Sequence, residues 1–319
     1  MSAEDDALRA LLSDAVSDVE PTDRLGEIRR RTTHRPRRSR RRPLLVVLGA
    51  GTATAAVVGV TALATDLRAD HDAPAASSPA PYPAAVYFVG STPVGARLYR
   101  EFQLLPDVDD PAARALDALQ QMEVDAGPED ADYQTGWPDG SFTSVSVDET
   151  GITVQVGAAA LSAPAHVPAD LVALGVQQAV HTADAAIGGP LPVTFERDGA
   201  PVAELLGSPV SSPVVRNTRV EAPVNINDPV EGLDVGATLD VRGQVTPVAA
   251  EHADRIAWEL RDRATGENVA SGTTPVEGVA WRMTLGVAHL PRGRYQIVVW
   301  PVLDSVLAGA TDTRDITLR

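Results

Sequence analysis

Residues Leu44 to Ala64, LLVVLGAGTATAAVVGVTALA, run for 21 positions without a charge or any residue more polar than Thr. As a helix rising 1.5 Å per residue, this segment is about 31 Å long, close to the hydrocarbon thickness of a bilayer. Residues 29–42 just before it read RRRTTHRPRRSRRR and carry nine Arg. The positive-inside rule then puts the N-terminus in the cytoplasm and everything after Ala64 outside. The expectation is a single-pass membrane protein with one transmembrane helix over 44–65 and a large extracytoplasmic portion.

Two other readings compete for the segment. LLVVLGAGTA could be a buried strand entering a Gly-x-Gly turn at Gly49 and Gly51, the opening of a dinucleotide-binding unit. Thr54 stands where the third glycine belongs, and AAVVGVTALA is apolar on all sides, which suits lipid better than a sheet-packed helix. A signal peptide cleaved after Ala62-Leu63-Ala64 is the more serious rival. The late basic region and the long apolar run favour an uncleaved anchor. Gly51, Ala55 and Gly59, spaced by four, could line a helix-pairing stripe.

Charge divides at the same place. Residues 1–43 hold 11 Arg and 8 acids, while the rest of the chain holds 16 Arg and 35 acids, a balance of −19. So acidic an outer portion repels nucleic acid and anionic lipid. The chain has no Cys, which excludes disulfides, thiolate metal sites, a cysteine nucleophile and a lipid-modified cysteine anchor.

Residues 1–43 form a basic tail with two short amphipathic stretches. Leu8, Leu11, Leu12, Ala15, Val16 and Val19 fall at helical spacing, Pro21-Thr22 breaks the pattern, and Thr22 can cap a second stretch through Leu25 and Ile28. So short a segment buries little core and calls for a partner or the membrane surface. DALRALLSDAVSDVEPTDRLGEIRRRT resembles N-terminal segments of actinobacterial membrane proteins, some of them anti-sigma-like, which implies a possible docking helix for a cytoplasmic regulator. Residues 66–85, rich in Ala, Pro and Ser, read as an extended linker.

From Val86 the pattern becomes strands and amphipathic helices. Val86–Val89 and Arg97–Leu104 read as strands. A helix starts at Asp110-Pro111, with Ala112, Ala115, Leu116, Leu119 and Met122 on its apolar face, and ends at Gly127-Pro128. A turn at Trp137-Pro138-Asp139-Gly140 leads to strands Phe142–Val147 and Ile152–Val156, a helix over 168–186, and strands Val193–Glu196 and Val202–Leu206. The order ββα-ββα-ββ suggests an internal duplication. VYFVG, GARLYREFQLL, WPDGSFTSVSVDETGITVQV, VQQAVHTADAAIG and PVTFERDGAPVAELLG resemble the GerMN domain of bacterial sporulation and germination proteins, over residues 86–209. The segment MEVDAGPEDADYQTGW departs from that pattern, being longer and more acidic than the usual connection.

After a Ser-Pro-rich joint at 208–213, residues 214–319 read as about seven strands: Arg219–Ile226, Ala237–Val245, Arg255–Arg261, Asn268–Ser271, Val279–Leu285, Gly293–Pro301 and Thr313–Leu318. That spacing predicts an all-β immunoglobulin-like sandwich, with Trp258 and Trp281 in its core and Trp300 as a further candidate. VEAPVNINDPVEGLDVGATLDVRGQV, IAWELRDRATGENVASG and WRMTLGV resemble the immunoglobulin-like domain found behind GerMN in spore-germination-related proteins.

No motif carries chemistry. His34 lies in the Arg run, His71 in the linker, and His252 and His289 in loops without zinc spacing. His181 and Asp184, one helical turn apart, could orient a general base, but no nucleophile elbow accompanies them and His181 keeps the apolar register. The acids Asp107, Asp109 and Asp110, and Glu129, Asp130 and Asp132, lack the spacing of a calcium loop and read as solvated surface. The expectation is a non-enzymatic envelope protein with no catalytic, cofactor-binding or metal residues, no cofactor, and cell-wall or envelope partners. A transmembrane signalling component with an outer sensor, and a cell-wall hydrolase, are the alternatives. The GerMN resemblance implies a link to sporulation or germination and supplies no ligand.

Overall fold

The computed structural model describes residues 81–319, except 166, 212 and 304–308. The tail, the predicted membrane helix and most of the linker lie outside the described residues. Among those described, no helix is long and apolar enough to cross a membrane. The described residues belong to one compact unit with two main hydrophobic cores, the first built from residues between Val86 and Ala222, the second from residues between Val224 and Leu318, and two smaller clusters flank the first.

Strands β1 (Tyr82–Thr92) and β2 (Gly95–Leu105) pair in register from Tyr82↔Leu105 to Thr92↔Gly95. β1 thus begins four residues before the expected strand, inside the expected linker. Pro83 is tolerated there because that end of β1 has a partner on one side only. Helix α1 (Pro111–Gln121) starts as the sequence indicates: the Asp110 side chain accepts from the Ala112 N–H at 3.1 Å, with Pro in the first turn. It stops well before Gly127. Glu123 is 9% exposed, and its carboxylate accepts from the N–H groups of Gly140 (2.9 Å) and Phe142 (3.0 Å). That contact turns the chain toward the next strands.

A short β3 (Tyr133–Gln134) pairs with β1, completing a sheet ordered β2-β1-β3. β4 (Phe142–Val147) and β5 (Ile152–Val156) fall where predicted. Helix α2 (Ala169–Ile187) packs on β1 and α1 and ends at Gly188, whose φ of 80° is the left-handed cap that glycine adopts without penalty. β6 (Val193–Arg197) pairs parallel to β5, and β7 (Ala200–Pro201) closes the sheet β4-β5-β6-β7. The expected strand Val202–Leu206 is reduced to a tight hairpin of β8 (Glu204–Leu205) and β9 (Ser208–Pro209), because Leu206 takes a positive φ of 51°. Trp137, read as a turn residue, is fully buried: its Nε1 donates to the Gly175 carbonyl at 3.2 Å and its ring packs 4.8 Å from Phe142.

The joint stays with the first core as far as Ala222, since Val214 bridges Val193 in both directions and the Ala222 N–H donates to the Leu98 carbonyl. Thr218–Val220 is a 3-10 turn, so the expected strand from Arg219 begins only at β10 (Val224–Asp228). There follow β11 (Leu233–Val235), β12 (Thr238–Val245), β13 (Arg255–Asp262), β14 (Asn268–Glu277), β15 (Ala280–Gly286), β16 (Gly293–Pro301) and β17 (Asp312–Leu318). Hydrogen bonding links them in the order β10-β12-β15-β14-β13-β16-β17-β11. The long β14 pairs with β13 along Asn268–Pro275 and with β15 at Val276–Glu277. It thereby joins two packed layers whose inner faces share one core.

Alternation dictates which residues fill that core. Leu239, Val241 and Val245 of β12 face Ile256 and Leu260 of β13, and Ile297 and Val299 of β16. Gly243 continues the β12 inner row because a Cβ there would meet the Asn225 carbonyl at 2.1 Å and the Trp281 ring at 2.2 Å. Trp281 is core, at 2% exposed, and Trp258 is half-buried against the same cluster. Trp300 is not a member of that core.

Candidate functional site

The inner row of β17 changes character along its length. Leu318 and Ile316 enter the sandwich core, and the same period of two brings Arg314 and Asp312 to its end against the first core. Arg314 is 1% exposed, yet its Nη1 reaches Asp130 Oδ2 (2.8 Å), the Tyr133 hydroxyl (2.8 Å), Asp312 Oδ1 (3.3 Å) and the Thr313 carbonyl (2.6 Å). Its Nη2 donates to the carbonyls of Arg100 (3.3 Å) and Ile226 (3.2 Å). The planar fork reaches both cores at once, as a lysine could not. Asp312 accepts from the Tyr133 hydroxyl, the Ile226 N–H (2.5 Å) and the Thr313 N–H (2.8 Å).

The acidic segment 122–137 supplies the facing half of this junction. Asp130 is 4% exposed and bonded to Arg314, and Asp132 accepts from the Thr313 hydroxyl at 2.8 Å. The loop is itself held by Glu101, whose carboxylate accepts from the Glu129 (3.0 Å) and Asp130 (2.9 Å) N–H groups. The expectation of a solvated acid cluster is therefore corrected for Asp130, while Glu129 and Asp132 stay exposed. The sequence around Asp130 gives no sign of a partner that lies 184 positions away. Burial pushes Asp130 up to about 6 despite Arg314, and Glu231, which accepts from the Asp315 N–H, up to about 7. A small cavity of about 190 Å³ opens beside the cluster, between Tyr99, Asp132, Tyr133 and Thr311.

A wider opening lies on the outer face of β13, β16 and β17, a groove of about 540 Å³. Cross-strand register lays out its floor in rows. Arg261 lies opposite Gln296, Glu259 opposite Val298, Val298 in turn opposite Thr313, and Ala257 opposite Trp300. Trp300 is half-buried on this outer face, so the reading of Trp300 as a core residue does not hold: it is one residue out of phase with Val299, which enters the core. Arg261 donates to Glu259 Oε2 through Nη2 (2.6 Å) and Nε (2.9 Å), which leaves its Nη1 without an acceptor among the described residues. Val302, Leu303 and Gly309 bound one side, and Thr311 and Thr313 line both this groove and the junction cavity.

The remaining candidates stay apart. His181 is fully buried on α2, with Nε2 at 3.2 Å from the Asn217 carbonyl and Nδ1 at 3.5 Å from Glu221, which is itself bonded to Arg216. Its ring meets Tyr87 edge-on, and burial, reinforced by Arg216, pulls its pKa down to about 3. Asp184 accepts from the Leu191 N–H at 3.2 Å rather than from His181, and burial raises it to about 6. The pair is not an acid–base unit. His252 and His289 are exposed, Asp107 and Asp109 are exposed, and Asp110 is a helix cap. Among the described residues no group of three His, Cys, Asp or Glu is placed to hold a metal ion.

No protein-family model matches the chain, and no curated protein does. Parts of it overlay solved structures. The tandem GerMN domains of the sporulation protein GerM from Bacillus subtilis align at 13% identity over 66% of this chain and 63% of that one, with a TM-score of 0.33. An endo-beta-1,4-mannanase from Thermotoga petrophila aligns at 12% identity over 31% and 20%, with a TM-score of 0.26. A lytic polysaccharide monooxygenase from Jonesia denitrificans aligns at 15% identity over 29% and 61%, with a TM-score of 0.21. The chain spans less than two thirds of each of these proteins. The GerM overlay is a distant structural match to the family that the sequence segments resemble. At such TM-scores none of the overlays carries an argument about activity.

Proposed function

We propose that this chain is a non-enzymatic envelope protein, anchored in the membrane by residues 44–65, whose GerMN-like and immunoglobulin-like portions bind cell-wall or envelope partners as one body. The observation that carries this reading is the outer-face groove: it is of ligand size and it shares Thr311 and Thr313 with a junction held by buried charge. Binding sites of this size class span about 300–1,000 Å³ and pair apolar floor with a few polar groups. The sequence resemblance supports a sporulation- or germination-related setting. In favour of a non-enzymatic role, the acidic pair nearest the groove, Asp130 and Asp312, is buried and bonded to Arg314.

In-cell crosslinking of the tagged full chain, followed by identification of the attached material, tests the proposal. Wall fragments or envelope proteins joined through residues 86–319 are expected. Capture of a transcription regulator through residues 1–28 overturns it in favour of signalling. Clearing of purified wall material by the purified protein overturns the non-enzymatic part. Protease added to intact protoplasts is expected to remove residues 86–319, and resistance until lysis would reverse the topology.

A further inference from the structure

We infer that the groove on β13, β16 and β17 binds an uncharged oligosaccharide strand, with Trp300 as the stacking platform. The inference rests on the envelope-binding reading and names its ligand class. Three features select the ligand. First, an indole on the solvent side of a sheet offers a flat apolar surface with a polar N–H, the shape that accepts the C–H face of a pyranose ring. Second, the same floor carries polar groups of both kinds. Arg261 and Glu259 are already locked to each other, so Nη1 of the arginine is held in position for a ligand acceptor at little cost in side-chain freedom. Gln296 adds an amide that both donates and accepts, matching hydroxyl groups, which do the same. Third, charge excludes the polyanions of an envelope: the chain beyond Pro43 carries a balance of −19, and Glu259 lies in the floor itself. A peptide added as an extra strand would call for a free strand edge, and β13 and β16 are paired on both sides.

The register gives the strand its direction. Residues two apart on β16 are about 7 Å apart, so Trp300, Val298 and Gln296 span about 13 Å. That length seats two or three sugar rings running along β16, with one ring over Trp300 and the polar row of Arg261 and Gln296 at the other end.

The test is tryptophan emission and calorimetric titration of the full chain in a detergent without a sugar headgroup, using chitotetraose and cellotetraose as probes and polyphosphate as the anionic control. Binding of at least one tetrasaccharide, none of polyphosphate, and at least a tenfold weakening in Trp300→Ala are expected. Trp300→Phe should recover part of the affinity, and both variants should keep the thermal midpoint of the parent. Binding that survives Trp300→Ala unchanged, or binding of polyphosphate alone, overturns the inference. So does absence of binding to either tetrasaccharide. If that absence coincides with crosslinks to envelope proteins through residues 86–319, the glycan inference fails alone. If the crosslinks are missing too, the envelope-binding reading falls with it.

Discussion

Arg314 on β17 and Arg261 on β13 flank the same strand, β16, and each is paired with a carboxylate, yet they live in opposite surroundings. Arg314 is 1% exposed, spends its fork on two carboxylates, a hydroxyl and three carbonyls, and has Tyr133 5.3 Å from its guanidinium. Arg261 is 44% exposed, bonds one oxygen of Glu259 and keeps Nη1 free of any described acceptor. The difference teaches that residue type does not decide role. A buried ion pair that bonds to both sides holds two cores together, because removing either partner strands a charge in low dielectric. The same pair on an open face contributes little to folding and is available to a ligand.

The largest expected effect breaks the junction. Arg314→Ala leaves Asp130 and Asp312 buried without their counter-charge and should lower the unfolding free energy by about 3–5 kcal/mol, read by urea unfolding of the purified chain. A loss below about 1 kcal/mol would mean that the junction is not closed in solution.

Acid separates the junction from the other buried cluster, around His181, which faces Tyr87 of β1, Arg216 and Glu221 of the joint, and Asp184 on its own helix. With the folded pKa near 3 against 6.5 unfolded, the unfolded chain takes up the proton first, so stability from His181 is intact above pH 6.5 and is lost as pH falls toward 3. Between pH 7 and 4.5 this amounts to on the order of 2 kcal/mol, reduced by the nearby Glu221 carboxylate. His181→Gln lacks that loss, so the stability gap between parent and variant should move against the parent on acidification. Asp130 carries the opposite sign. With the folded pKa raised to about 6, the folded state binds the proton first, and acidification from pH 7 to 5 favours folding by about 1 kcal/mol. Asp130→Asn should erase that gain in the same titration. The smallest effect sharpens the contrast on the open face: Arg261→Ala should cost less than about 1 kcal/mol, and a loss like that of Arg314→Ala would show the groove to be part of the fold.

Much of the architecture was legible in the chain. Strands Phe142–Val147 and Ile152–Val156 stand where the sequence pattern puts them, and the cap at Asp110-Pro111 marked its helix. These features depend on neighbours within a few residues, so local chemistry suffices to read them. The end of α1 was misread because Glu123 answers to N–H groups 17 and 19 positions away. The acidic loop 122–137 stood out as unusual, but its role did not: its counter-charge comes from the last strand of the chain. Extending the period of two backward from Leu318 and Ile316 was the one signal that could have found Arg314, by placing a charge where a core residue belongs.

By itself, then, the sequence determined the apolar segment and its charge flank, the absence of thiol chemistry, the order of the longer strands and helices, and the acidic balance beyond Pro43. All of these are sums or periods along the chain. Only the tertiary structure decided that Asp130, Tyr133, Asp312 and Arg314 form one buried cluster, that Trp300 leaves the core by a single step of register, and that Glu259, Arg261 and Gln296 share a groove with it. Those are matters of which distant segments meet, and pairing across a sheet or between two cores is set by packing and desolvation over the whole fold rather than by any residue's neighbours in sequence.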